Sequence, residues 1–275
     1  MSEEHIFLTR SIGSAGMLGT RIGPGEALVR TDLSLRPSRR IGLFRMPIER
    51  GIWEGLVREV KGLDAAGGAP TGPLRPGTRI ITIGLEDNGK NSHVRMVPAN
   101  NVPEPLKPVL ERISALTMQA MDHPERALEG AAAWTTAAVK PGEDLLLVLT
   151  LKNVGTEAVA LVNPAAAKDS EAIGIELRLI RNVAQVEERD IKNLGAKRGE
   201  VVQMETSGKT RTAPSAVETL APGAEVQYRV HKPAKIPPGD YKATLSVVSQ
   251  AKDGGDANAV TGTIEIDLPN LRVSK

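Results

Sequence analysis

Cysteine is absent from this 275-residue chain, which removes disulfides, thiol nucleophiles and cysteine-ligated zinc in one step. A thiol-free chain fits a reducing compartment, and a cytoplasmic location is expected. Phenylalanine, tryptophan and tyrosine number two each, so no group of rings is available to stack sugars or bases. Carbohydrate and nucleic-acid partners are therefore not expected. No apolar run nears the roughly 20 residues that a membrane-crossing helix needs, and no membrane span is expected. The opening Met1-Ser2-Glu3-Glu4-His5 is acidic and polar rather than basic and then apolar, so it does not read as a secretory signal. Excess charge is also missing, with 35 Lys and Arg against 33 Asp and Glu.

What remains is a chain whose cores must be built from Leu, Val, Ile and Ala. Its length suits two domains on a prior of roughly 100 to 200 residues each. The sequence predicts an α+β N-terminal domain over residues 1–128 followed by an all-β Ig-like sandwich over 129–275. In the first part, Ile6-Phe7-Leu8 opens a strand, Arg10 to Gly25 reads as a glycine-rich stretch, and Ala27 to Leu35 and Ile41 to Phe44 suggest further strands. Ile52, Leu56, Val60 and Leu63 share one helical face. Ala65 to Pro76 reads as a loop. Asn88-Gly89, set between two alternating segments, signals a tight hairpin. Leu106 to Ala120 keeps helical spacing, with Pro105 and Pro108 near its start, where a missing donor costs least. Asp122 to Ala133 reads as the crossing into the second part.

The second part is punctuated by Pro141-Gly142, Pro222-Gly223 and Pro238-Gly239. Proline presets the first turn torsion and glycine takes a positive φ cheaply, so each pair reverses the chain ahead of an apolar-alternating run. The runs are Leu145 to Leu151, Val226 to Val230 and Tyr241 to Val248, joined by a further alternation ending at Leu268. Tyr241, at a corner before a strand, suits a hydroxyl tie across the turn. The charged segment Gln185 to Gln203 reads either as a binding loop or as a solvated excursion.

Chemistry-bearing patterns are few. Gly84 to Lys90 has the glycine and lysine spacing of a phosphate loop, but Asn91 stands where a Ser or Thr is needed, and alternation resumes on the far side of an Asn-Gly turn. His5, His93, His123 and His231 lack metal-ligand spacing. Asp253-Gly254-Gly255-Asp256 lacks the alternating oxygens of a calcium loop. No nucleophile, base and orienting group come together, so no cofactor and no enzymatic activity are expected. Residues 1–128 hold 17 Lys and Arg against 14 Asp and Glu, and residues 129–275 hold 18 against 19. The cations of the first part are mostly arginine, with Arg36, Arg39, Arg40, Arg45 and Arg50 close in sequence. The planar guanidinium fork suits carboxylates. These arginines are either a partner-facing surface or charges that keep a strand edge from pairing.

Residues 6–121 resemble the emfourin family of bacterial inhibitors of thermolysin-like metalloproteases. The resemblance lies in an opening strand that ends Arg10-Ser11-Ile12-Gly13-Ser14-Ala15-Gly16, where the family pattern is close to Ser-Gly-Gly-Phe-Ala-Gly. Ile12 and Ser14 stand where the family has a glycine and the aromatic. Residues 134–268 resemble Ig-like sandwiches such as the intracellular proteinase inhibitor family, through Leu149 to Gly155, Leu220 to Gly223 and Pro237 to Tyr241. The first resemblance implies a protein partner, a metalloprotease, met by Arg10, Ser11, Gly13, Ser14, Ala15, Gly16 and Met17, with Arg36, Arg39 and Arg40 steering toward acidic surface. Small residues there allow close approach of the backbone. Two readings stay open beside it. The glycines could serve only a tight bend, and the chain could be a scaffold, self-associating as a homo-oligomer or exported for adhesion, with no inhibitory role.

Overall fold

The computed structural model describes residues 4–12, 16–34, 39–63, 78–162, 175–181, 200–203, 205–207, 217–233, 236–249 and 259–274. They fall into two compact units. The first comprises Met1–Leu33, Ile41–Ala127 and Gly155–Glu157, and the second Ser34–Arg40, Leu128–Val154 and Ala158–Lys275.

The first unit is dominated by an antiparallel sheet. Its strands are β1 (His5–Ile12), β2 (Gly16–Ile22), β3 (Glu26–Thr31), β4 (Arg40–Pro47), β5 (Ile80–Asp87) and β6 (Lys90–Pro98), ordered β4-β3-β2-β1-β5-β6. Alternation sets the two faces. Ile6, Leu8, Leu18, Ile22, Val29, Phe44, Ile81 and Ile83 are buried on one side, and each such side chain contributes roughly 1.5–3 kcal/mol by leaving water. Helices α1 (Arg50–Gly62) and α2 (Lys107–Ala120) supply the matching apolar stripes, Leu56, Val57 and Val60 from the one and Val109, Leu110 and Ile113 from the other. Thr20 of β2 meets Thr117 of α2 across this layer, hydroxyl to hydroxyl at 2.9 Å. Asn88 and Gly89 turn β5 into β6 with φ of 50° and 74°, a left-handed pair that the twist of a two-residue hairpin favours. The phosphate-loop spacing thus lies on a β-hairpin.

Strand β7 (Pro124–Trp134) begins in the first unit and ends in the second. In the second unit it adjoins β9 (Asp144–Asn153), followed by β15 (Glu225–Pro233) and β13 (Glu205–Ser207). A second sheet holds β12 (Glu200–Gln203), β11 (Ile175–Arg181), β16 (Gly239–Ser249), β17 (Gly262–Val273) and β8 (Ala138–Val139), with β8 parallel to β17. A two-stranded pair joins β10 (Val159–Val162) to β14 (Val217–Leu220). The two larger sheets meet at Gly130, where a Cβ would lie 2.7 Å from Ile264 Cγ2. Only a residue without a side chain lets them close to that distance. Tyr241 donates its hydroxyl to the Pro237 carbonyl at 2.8 Å, the tie its corner position suggested.

The expected class, an α+β N-terminal domain followed by an all-β Ig-like sandwich, is corrected. The protein is β-rich throughout, with large antiparallel sheets and only two α-helices among the described residues. Two misread segments account for most of the difference. Arg10 to Gly25, read as a glycine-rich stretch, contains the end of β1 and all of β2, and Asp122 to Ala133, read as a crossing, is largely β7. In β2 Gly16 falls on one face and Gly19 on the other, and in β7 Ala131 and Ala133 share a face, so small residues weaken the two-residue periodicity that marks a strand. The expected loop at Ala65 to Pro76 and the segment Asp253 to Asp256 lie outside the described residues, as does most of Gln185 to Gln203.

Candidate functional site

Four of the seven expected contact residues are described, and they sit together where β1 hands over to β2. Gly13, Ser14 and Ala15 lie outside the described residues. The strands pair up to Ile12 opposite Gly16, with Ser11 opposite Met17 and Arg10 opposite Leu18. Gly16 is buried. The Met17 side chain is 45% exposed although its backbone is held from both directions. Its N–H donates to Asp32 Oδ1, and its carbonyl accepts from the Asp32 N–H at 3.3 Å. A carboxylate accepting from a backbone N–H is among the stronger hydrogen bonds available to a chain. Ser11 turns its hydroxyl to the sheet, where Oγ accepts from the Ile80 N–H at 2.9 Å.

Arg10 faces the opposite way, under α2. Its Nη2 donates to Ser114 Oγ at 2.6 Å and weakly to the Leu110 carbonyl at 3.4 Å. Burial pushes its guanidinium pKa below the ordinary arginine value, because a low-dielectric setting disfavours the charged form. Its Nε has no hydrogen-bond partner. Arg10 therefore braces β1 against α2 instead of projecting toward a partner.

The other arginines divide. Arg36 lies outside the described residues, and Arg39 and Arg40 belong to the second unit. Arg39 has a φ of 51° and accepts at its carbonyl from the Gly130 N–H at 3.1 Å. Arg40 is 2.6 Å from Glu129 Oε2. In the first unit Arg45 bridges Glu125 and Glu26, and its pKa is raised, foremost by the hydrogen bond to Glu125. Arg50 pairs with Glu54 one turn on, at 3.1 Å. Arg40 and Arg45 are thus engaged with carboxylates more than 75 positions away in sequence. Asp32, Ser114, Glu125 and Glu129 are partners that sequence reading missed.

Elsewhere in the first unit, two shallow depressions are open to solvent. One, of about 470 Å³, is lined by Asn100, Asn101, Lys107, Glu111 and Ser114, and the other, of about 320 Å³, by Leu63, Pro105, Pro108 and Val109. Among the described residues no three His, Asp or Glu side chains gather as they would around a metal ion. No helix among them is long and apolar enough to cross a membrane.

No protein-family model and no curated protein sequence matches this chain. Solved structures similar to part of it include the following. AvmM, which catalyses macrocyclization in alchivemycin A biosynthesis, is 11% identical over 54% of this chain and 89% of its own, with a TM-score of 0.29. The sporulation control protein Spo0M of Bacillus subtilis is 13% identical over 54% of this chain and 49% of its own, at 0.28. The alkylpurine DNA glycosylase AlkC of Pseudomonas fluorescens is 13% identical over 58% and 38%, at 0.26. At such scores these likenesses carry no argument about activity.

Proposed function

We propose that this chain is a non-enzymatic protein-binding protein, most specifically a proteinaceous inhibitor of a thermolysin-like metalloprotease acting in the cytoplasm. The supporting observation is the two-way grip of Asp32 on Met17. It holds an exposed apolar side chain on backbone that is already ordered, next to the small residues Gly13 to Gly16. Docking such a segment costs little conformational entropy, and main-chain groups would make the hydrogen bonds in the protease cleft. Arg10 is not part of the contact in this reading, because its guanidinium is committed to Ser114.

Titration of the full chain against thermolysin tests the proposal. Stoichiometric inhibition at micromolar excess, lost when Met17 is replaced by Glu or Gly16 by a bulky residue, is the expected result. No inhibition, or inhibition indifferent to both changes, overturns it. A second reading, a scaffold or self-associating protein without inhibitory activity, is favoured by Arg10 and Arg40 being held in internal bonds, which leaves less charge for steering. A stable oligomer by solution mass together with no inhibition would select it.

A further inference from the structure

The sheet of the first unit has a second face, turned away from α1 and α2, and its make-up is unusual for one exposed to water. Register places Met96, Thr82, Thr9, Gly19, Arg30 and Leu43 in one row across β6, β5, β1, β2, β3 and β4. Met96 is 50% exposed, and Val94 beside it on β6 is 42% exposed. Gly19 leaves a gap in which only the Arg30 carbonyl, at 3.9 Å, comes near an added Cβ. The row is therefore a shallow trough of methyl, thioether and hydroxyl groups.

Charge decides what fits it. The neighbouring cations on this face are neutralised, Arg21 by Glu86 at 3.4 Å and Arg45 by Glu26 at 2.6 Å. Arg30 is exposed, and among the described residues no carboxylate pairs with it. The nearest acid along its strand, Asp32, is spent on the Met17 amide. A guanidinium beside a glycine gap presents its fork to a carboxylate without steric opposition. A second copy of this chain is a poor occupant, because the carboxylates Glu26 and Glu86 of the same face are already paired.

We propose that this open face is a docking surface for a protein segment carrying a carboxylate among apolar residues, with Arg30 taking the carboxylate and Met96 and Val94 the apolar side chains. Met17 lies on this same face two positions from Gly19, but this proposal does not depend on protease inhibition.

The test is an NMR titration of the full chain with two synthetic ten-residue peptides, one alternating valine with glutamate and the other valine with lysine. The acidic peptide should shift the Met96 methyl and the Thr9, Gly19 and Thr82 amides, and binding should weaken at least tenfold with R30E and as salt is raised. M96S should weaken it several-fold while leaving its salt dependence unchanged. Equal binding of the lysine peptide, shifts mapping elsewhere, or no binding at millimolar peptide would overturn the proposal. Shifts at these positions that grow with protein concentration alone would also overturn it, by assigning the face to self-association.

Discussion

The hydroxyls of Thr20 and Thr117 lie 2.9 Å apart with both residues buried, and the direction of the bond between them is decided by a third group. Thr117 Oγ1 also lies 2.7 Å from the Ile113 carbonyl, which can only accept. A hydroxyl has one proton. Thr117 gives its proton to Ile113, so Thr20 must donate to Thr117.

That asymmetry predicts unequal effects. Thr117→Val strands the Thr20 proton in the core and should cost about 1–3 kcal/mol, whereas Thr20→Val leaves Thr117 still donating and should cost about 1 kcal/mol or less. The double variant should be less destabilised than the sum of the two. Urea unfolding of the four proteins measures each value, and a Thr20→Val cost equal to or larger than that of Thr117→Val would contradict the assigned direction.

Arg10 and Ser114 follow the same logic with a charge in place of a hydroxyl. Ser114 Oγ donates to the Leu110 carbonyl and so accepts from Arg10. Ser114→Ala removes the main partner of a half-buried guanidinium and should cost about 1–2 kcal/mol, and adding Arg10→Met should recover part of that loss. The pH dependence has a definite sign. Burial lowers the guanidinium pKa from its ordinary value, so the penalty is fully present below the lowered value and is relieved only as pH rises through it. Because arginine keeps its proton in proteins, the loss caused by Ser114→Ala should be the same at pH 5 and pH 8 in thermal or urea unfolding.

Phe7 lies across Gly84 on the open face of the first unit. A Cβ at Gly84 would sit 2.8 Å from Phe7 Cζ and 3.1 Å from the Ser92 carbonyl. Gly84→Ala should therefore destabilise by roughly 1–3 kcal/mol through overpacking. Phe7→Leu, which withdraws the ring, should reduce that effect in the double variant, as a shift in melting temperature would register.

Tyr241 ties its corner by donating its hydroxyl to the Pro237 carbonyl at 2.8 Å. Tyr241→Phe keeps the ring in the core and removes that tie, so a loss of about 1 kcal/mol is expected. Chemical denaturation should show a lower midpoint with an unchanged slope, because the exposed area on unfolding stays the same.

By itself the sequence determined those elements whose signal is carried by large side chains or by obligatory turn residues. The alternation from Tyr241 to Val248 and the helical spacing from Leu106 to Ala120 each reappear as β16 and α2, and Asn88-Gly89 turns the β5–β6 hairpin, because periodicity and positive φ are properties of neighbouring residues. Strand β2 was illegible because Gly16 and Gly19 carry no apolar side chain to mark a face, and the alanines of β7 hid it in the same way. Only the tertiary structure decided which arginines are spent. Arg10 finds Ser114 across 104 positions and Arg40 finds Glu129 across 89, and no local pattern encodes such a meeting. Arg30 looks like any other arginine in the chain, and only the fold shows that, among the described residues, the carboxylates of Glu26, Glu86 and Asp32 are engaged elsewhere.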